Sequence, residues 1–212
     1  MSTLPEFLQY DRSLKICLIL EGYEEFYYFN KILNFPCFNH IYQITKINAK
    51  AASSVPVIYQ AEFSKNIYDI VLVVCDKDRK PESYDDIIKK LDLIHGEGKG
   101  SKVVTFVSPC TLQIILLHFG DVRLETQAKK NARPHVKALT GVDNYDAHQD
   151  QLKDICNQIH YRSYSDMKER VENISTCPDV MPSTNILTLL ENLESEDTSW
   201  IDDINKELFE ED

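Results

Sequence analysis

Three carboxylates are the side chains of this 212-residue chain best suited to chemistry. Glu21 and then Gly22 follow one aliphatic run, and Asp76 and Asp78 bracket Lys77 at the end of another. Residues two apart at a strand end point the same way, which sets the two aspartates roughly 6–7 Å apart at Cβ. Like charges at that separation repel, and a divalent cation between them relieves the repulsion. Hard oxygen donors suit Mg²⁺ or Mn²⁺, ions that keep several waters and engage substrate phosphates. Glu21 offers a third carboxylate, either as ligand or as base toward an attacking water. Gly22 lets a backbone or ligand approach closely. Competing chemistries lack their signatures: there is no GxGxxG or Walker loop, and the six cysteines (17, 37, 75, 110, 156, 177) contain no CxxC pair. Several of these cysteines lie in apolar runs and read as reduced core residues. Cys110 and His118, eight positions apart, fall about two helical turns from each other, too far for a thiol–imidazole pair.

The elements that must position these residues alternate. Aliphatic runs predict strands at 14–20, 41–47, 69–75 and 102–107. Apolar spacing predicts helices at 23–33, 56–65 and from Pro81 to the glycine-rich stretch 95–100. A β-α-β-α-β-α-β order implies the α/β class, a central parallel sheet flanked by helices. Ligands of such sheets bind outside the carboxyl ends of the strands, where Glu21, the Asp76–Asp78 pair and Ser108 fall. The remainder reads as a helical C-terminal region: a buried helix at 111–119, then helices at 145–159, 165–174, 184–193 and 199–209, with Ser165 and Ser183 as caps. Residues 120–144 show no clear pattern. The expected organisation is an α/β core over 1–119, a helical extension of the same domain over 120–193, and an acidic amphipathic tail over 194–212.

The net charge of −11 is unevenly spread. Residues 191–212 hold ten acids against Lys206 alone, so the rest of the chain is close to neutral. A local basic surface can therefore still meet nucleic acid. Arg123, Lys129, Lys130, Arg133 and Lys137 face one acid, Glu125, within 123–137 and are candidates to track phosphates. Lys77, Arg79 and Lys80 flank the aspartate pair and could neutralise a scissile phosphate. The tail carries Trp200, Ile201, Ile204, Leu208 and Phe209 at helical spacing, so it is expected to dock on the chain's own core or on a partner, or to mimic nucleic acid over the basic segment. No apolar run approaches the roughly 18 residues of a membrane helix, and no signal peptide is expected ahead of the acidic N-terminal residues. A cytoplasmic location is the expectation.

The conjunction of Glu21-Gly22 after the first strand with Asp76-Lys77-Asp78 after the third resembles the Toprim domain, the catalytic fold of topoisomerases and primases. Leu18 to Glu25, with Tyr28-Phe29 beyond, is similar to the "vEGxTE" opening of the RloB-like branch found in bacterial anti-phage and restriction loci. Tyr68-Asp69 leading to Asp76-Lys77-Asp78, Ser108-Pro109-Cys110 through Leu116-Leu117-His118-Phe119, and Pro182-Ser183-Thr184 are similar to that branch's later motifs. The likeness spans about 14–193. The chain departs from the pattern in two places: Glu24 stands at the opening's threonine, and the glutamate after the Pro-Cys step falls at Leu112 or Gln113. The resemblance implies a Toprim-like Rossmannoid fold and an Mg²⁺-dependent nuclease cutting RNA such as tRNA, or DNA. It implies Glu21, Asp76 and Asp78 as catalytic metal ligands, with Gly22, Glu25 and Ser108 in support, and an ABC- or SMC-like ATPase as partner in anti-phage defence. Oligomerisation is compatible with it. The alternative is a catalytically degenerate interaction subunit of such a complex. A phosphatase of the haloacid-dehalogenase kind also places Asp-x-Asp after a strand, but Lys80 occupies its threonine or serine position, and the pair ends the third strand rather than the first.

Overall fold

The structure is a computed structural model that describes residues 13–38, 41–77 and 82–210. Asp78, Arg79, Lys80 and Pro81 lie outside the described residues. The two most aliphatic runs become the central strands, β1 (Leu14–Leu20) and β3 (Ile70–Asp76). Sequences this apolar are stable only with both faces covered, and every residue of β3 before Asp76 is buried. β2 (Tyr42–Asn48) pairs parallel with β1 at one edge. β4 (Val104–Ser108) pairs parallel with β3 on the other side. The sheet order is β2-β1-β3-β4-β5, so chain direction across the sheet reverses between β1 and β3. In open parallel sheets the crevice at such a reversal is the ligand site.

The fifth strand corrects the sequence reading. Ser183 caps no helix; Ser183–Thr184 forms β5, antiparallel to β4. Two neighbouring side chains complete the edge that so short a strand leaves open. Thr184 Oγ1 donates to the Phe106 carbonyl (2.7 Å), and Asn185 accepts from the Phe106 N–H (2.8 Å) and donates to the Val104 carbonyl (3.2 Å).

Helices α1 (Tyr23–Ile32), α2 (Val55–Ser64) and α3 (Glu82–His95) are the crossovers, close to their predicted bounds. All six residues of α4 (Leu112–Leu117) are buried. The segment without clear pattern hides α5 (Lys129–Thr140), whose left-handed Gly141 ends it; Pro134 inside the helix and only two buried residues, Ala132 and Val136, had masked its period. Then follow α6 (Gln149–Gln158), α7 (Tyr161–Glu172), α8 (Ile186–Glu194) and α9 (Ser199–Phe209). Ser165 lies inside α7, because the chain turns at His160 and starts that helix four residues earlier. One hydrophobic cluster runs from Ile16 to Leu208 and joins the sheet, the later helices and the tail.

The tail does not cover the basic segment. It packs at the amino ends of the strands: Asn205 donates to the Asp69 carbonyl (3.0 Å), Trp200 donates to the Tyr42 hydroxyl (3.0 Å), and Glu207 pairs with Lys102 (2.6 Å). Ile201 and Leu208 are buried there and Phe209 stacks on Phe63. Apolar burial fixes its position, with the acids turned outward. Among the described residues no helix is long and apolar enough to cross a membrane.

Candidate active site at the carboxyl ends of the central strands

β1 and β3 end side by side and deliver Glu21 and Asp76 to one point. The Glu21 N–H donates to the Val74 carbonyl (3.0 Å), extending the ladder one residue past β1. The Asp76 N–H donates back to Glu21 Oε2 (2.9 Å). Gly22 then turns the chain into α1, and Glu25 Oε2 accepts the Gly22 N–H (2.8 Å), satisfying one unpaired donor at the helix start. A Cβ at position 22 would stand 3.2 Å from that same oxygen, so glycine keeps the Glu25 carboxyl in place.

Glu24 joins the group from the first turn of α1. Its carboxylate accepts the Leu112 N–H (3.1 Å) and the Tyr145 hydroxyl (2.8 Å). Burial, with the Glu25 charge beside it, raises its pKa from 4.5 to about 7, against the two hydrogen bonds and Lys129, which pull it down. Asp76 keeps an edge toward solvent, but its carboxyl is enclosed: Thr111 donates to Oδ1 through both N–H (2.8 Å) and hydroxyl (3.1 Å). Desolvation first, then the charges of Glu25, Glu24 and Glu21, hold the Asp76 pKa well above the usual carboxylate range. The Glu25 side chain lies within hydrogen-bonding reach of Asp76 and adds to the cost of ionising it.

Glu21, Gly22, Glu25 and Asp76 thus lie together at the ends of β1 and β3. Asp78 and Arg79 fall outside the described residues. Ser108 is buried at the end of β4 and serves the register with Ser183. Lys77 is turned away from the carboxylates: it is buried, its ammonium sits 5.0 Å from the centre of the Tyr84 ring and 3.6 Å from Asp179. Alternation along the strand end sends Asp76 and Lys77 to opposite faces. Of the basic segment, Lys129 reaches the site, where it lines a depression with Glu24 and Asp76. Arg133 instead donates to the Tyr145 carbonyl (2.8 Å) and pairs with Asp146 (3.3 Å), and Lys137 pairs with Asp143 (2.6 Å). These two tie α5 to the loop that presents Tyr145 to Glu24. Lys130 is exposed on α5, and Arg123 pairs with Asp121 (3.6 Å).

Three contributors had no reading in the sequence. Thr111 and Tyr145 reach the acids across 35 and 121 positions of chain, a distance that no local pattern encodes. Lys50 lines the depression formed by Glu21, Glu24, Glu25 and Asp76; its one signal is position, just past the second predicted strand. Gln113, at one of the two positions where the resemblance expects a glutamate, is buried and ties down the following loop, donating to the Val122 carbonyl (2.7 Å) and accepting the Leu124 N–H (2.7 Å). Cys110 and His118 form no catalytic pair. His118 Nε2 contacts the Tyr28 hydroxyl (3.2 Å) and Nδ1 the Ser163 hydroxyl (3.0 Å), and burial lowers its pKa to about 3. Burial, then Glu24 and Asp76, push the Cys110 thiol well up, which keeps it protonated and inert.

The donor set fits a hard divalent ion in kind: oxygen donors only, in a desolvated cluster short of positive charge. Among the described residues no three Asp, Glu, His or Cys side chains are already arranged around an ion position, since Glu21, Glu24 and Glu25 each accept a backbone N–H. No family model, no curated protein and no solved structure matches the chain.

Proposed function

We propose that this chain is a metal-dependent nuclease of Toprim type, with Glu21 and Asp76 at its centre. The observation that carries the reading is the gathering of four carboxylates (Glu21, Glu24, Glu25 and Asp76) at the reversal between β1 and β3, with Asp76 desolvated against three like charges. A fold that holds charge in this way stores a demand for a counter-ion. Glu21, Asp76 and, from the sequence, Asp78 would hold Mg²⁺ or Mn²⁺, which would supply charge neutralisation at phosphorus and a lowered pKa for an attacking water. The protein's own groups do the rest. Thr111 fixes the Asp76 carboxyl through two hydrogen bonds, and the Asp76 N–H fixes Glu21. Glu24, with a pKa of about 7, can take a proton from an attacking water near neutral pH.

The resemblance adds the setting: RNA such as tRNA, or DNA, as substrate, an ABC- or SMC-like ATPase as partner, and anti-phage defence in the cytoplasm as the purpose. One observation favours a second reading, a non-catalytic interaction subunit: Glu21, Glu24 and Glu25 are each already engaged by a backbone donor. The deciding experiment follows Mg²⁺- and Mn²⁺-dependent cleavage of total tRNA and of single-stranded and duplex DNA, with and without an adjacent ATPase. Cleavage lost in Glu21→Gln and Asp76→Asn establishes the acidic site. No cleavage under any condition, with partner binding intact in both variants, establishes the second reading.

A further inference from the structure

Two depressions meet at the carboxylates. One, of about 130 Å³, has Lys50 on its rim; the other, of about 270 Å³, has Lys129. Tyr23, Glu24 and Asp76 form the wall common to both. Neither lysine has a carboxylate partner among the described residues, whereas Arg133, Lys137 and Lys153 are all paired. The Lys129 ammonium donates to a neutral acceptor, the Asp146 carbonyl (2.9 Å), and acts on the Glu24 carboxylate only through space.

Backbone strain marks the same two places. Four described residues other than glycine have positive φ. Two are asparagines, a type that tolerates the left-handed region. The other two are Lys50 (φ +66°) and Ala147 (φ +56°), and each lines one of the depressions. Glycine would adopt the Lys50 conformation without cost, so the lysine sits there against a backbone preference, and strain of this kind gathers at functional positions. The Asn48 side chain accepts the Lys50 N–H (2.7 Å) and holds the turn.

One aromatic ring lines both depressions. Tyr23, the first residue of α1, is half-buried and stacks on Tyr27 (6.1 Å, 21°), whose ring has the Lys153 ammonium 5.6 Å from its centre. Aromatic rings between cations are the means by which proteins hold unpaired bases. A duplex turns its base faces inward and offers none to such a ring.

We propose that the site takes single-stranded nucleic acid, with a base stacked on Tyr23 and Lys50 and Lys129 holding the phosphates on either side of the one that faces the carboxylates. This deepens the nuclease reading and rests on it for the cleavage step, but the binding mode is testable without cleavage. Fluorescence anisotropy with no divalent ion present compares a labelled oligothymidylate, an oligouridylate and a blunt duplex of equal length on the full chain. Tighter binding of both single strands than of the duplex is expected; preference for one of them names DNA or RNA. Tyr23→Ala should weaken single-strand binding about 5- to 150-fold, the range for loss of one stacked base, and Tyr23→Phe should restore it. Lys50→Gly and Lys129→Ala should each flatten the log–log salt dependence by about 0.7, one phosphate's worth, and Lys50→Gly should do so with an unchanged or raised Tm. Equal binding of duplex and single strand, or unchanged affinity in Tyr23→Ala, overturns the proposal. A wild type that cleaves while Tyr23→Ala behaves identically defeats this inference and leaves the nuclease reading standing. Single-strand binding through Tyr23 without cleavage under any metal does the reverse.

Discussion

Replacing Glu24 by glutamine removes one charge from a crowded, desolvated group and keeps an oxygen for Tyr145 or Leu112 to donate to. The Glu24 pKa is raised by folding, from 4.5 to about 7. The native state therefore binds this proton more tightly than the unfolded state, and stability falls as pH rises above the unfolded value. With those two values, ionising Glu24 costs the fold under about 1 kcal/mol at pH 5 and about 3 kcal/mol at pH 8. Glutamine pays none of this, so the stability difference between Glu24→Gln and wild type should swing in favour of the variant by roughly 2–3 kcal/mol across that interval. For a chain of this length the swing corresponds to about 5–10 °C in Tm. Thermal unfolding of both proteins with chelator at the two pH values measures it. A difference between the two proteins that is the same at pH 5 and pH 8 would refute the claim that folding raises the Glu24 pKa. Added Mg²⁺ should raise the Tm of wild type at pH 8, where the carboxylates most need a counter-charge.

Three further outcomes follow from the packing. Deleting residues 195–212 uncovers the sites of Ile201 and Leu208 and should cost about 3–6 kcal/mol, with a Tm drop of about 10 °C or more; increased nuclease activity in a stably folded truncation would restore the idea that the tail masks the substrate site. Gly100→Ala places a Cβ 2.7 Å from the Ile88 carbonyl oxygen and 2.9 Å from the Asp92 nitrogen, backbone atoms that cannot yield freely, and should destabilise by about 1–3 kcal/mol in denaturant titration. Ser183→Ala removes a buried hydroxyl that has no hydrogen-bond partner among the described residues, and should leave stability unchanged or raise it by up to about 1 kcal/mol in the same titration.

The sequence by itself determined the parallel core and the position of its chemistry. Continuous aliphatic runs such as Ile70–Cys75 can be satisfied only between two layers, and an acid directly after such a run must emerge at the strand's carboxyl end. Glu21 and Asp76 were legible for that reason, and Gly22 and Glu25 followed as the local turn into α1. What the tertiary structure decided lies in pairings across long stretches of chain. Glu24, a first-turn helix acid by sequence, became a fourth member of the cluster because Tyr145 and the Leu112 N–H reach it from elsewhere. Lys77, adjacent in sequence to the aspartates, was lost to the site because strand alternation turns it toward Tyr84. The basic segment read as one patch, yet its residues parted: Arg133 and Lys137 found carboxylates in the 143–146 loop, Lys130 stayed exposed, and Lys129 came to line the depression with Glu24 and Asp76. Charge patterning in one dimension records how many cations a segment has. Which of them stay unpaired depends on the acids that folding brings alongside, and on which apolar faces, like that of α9, must be buried first.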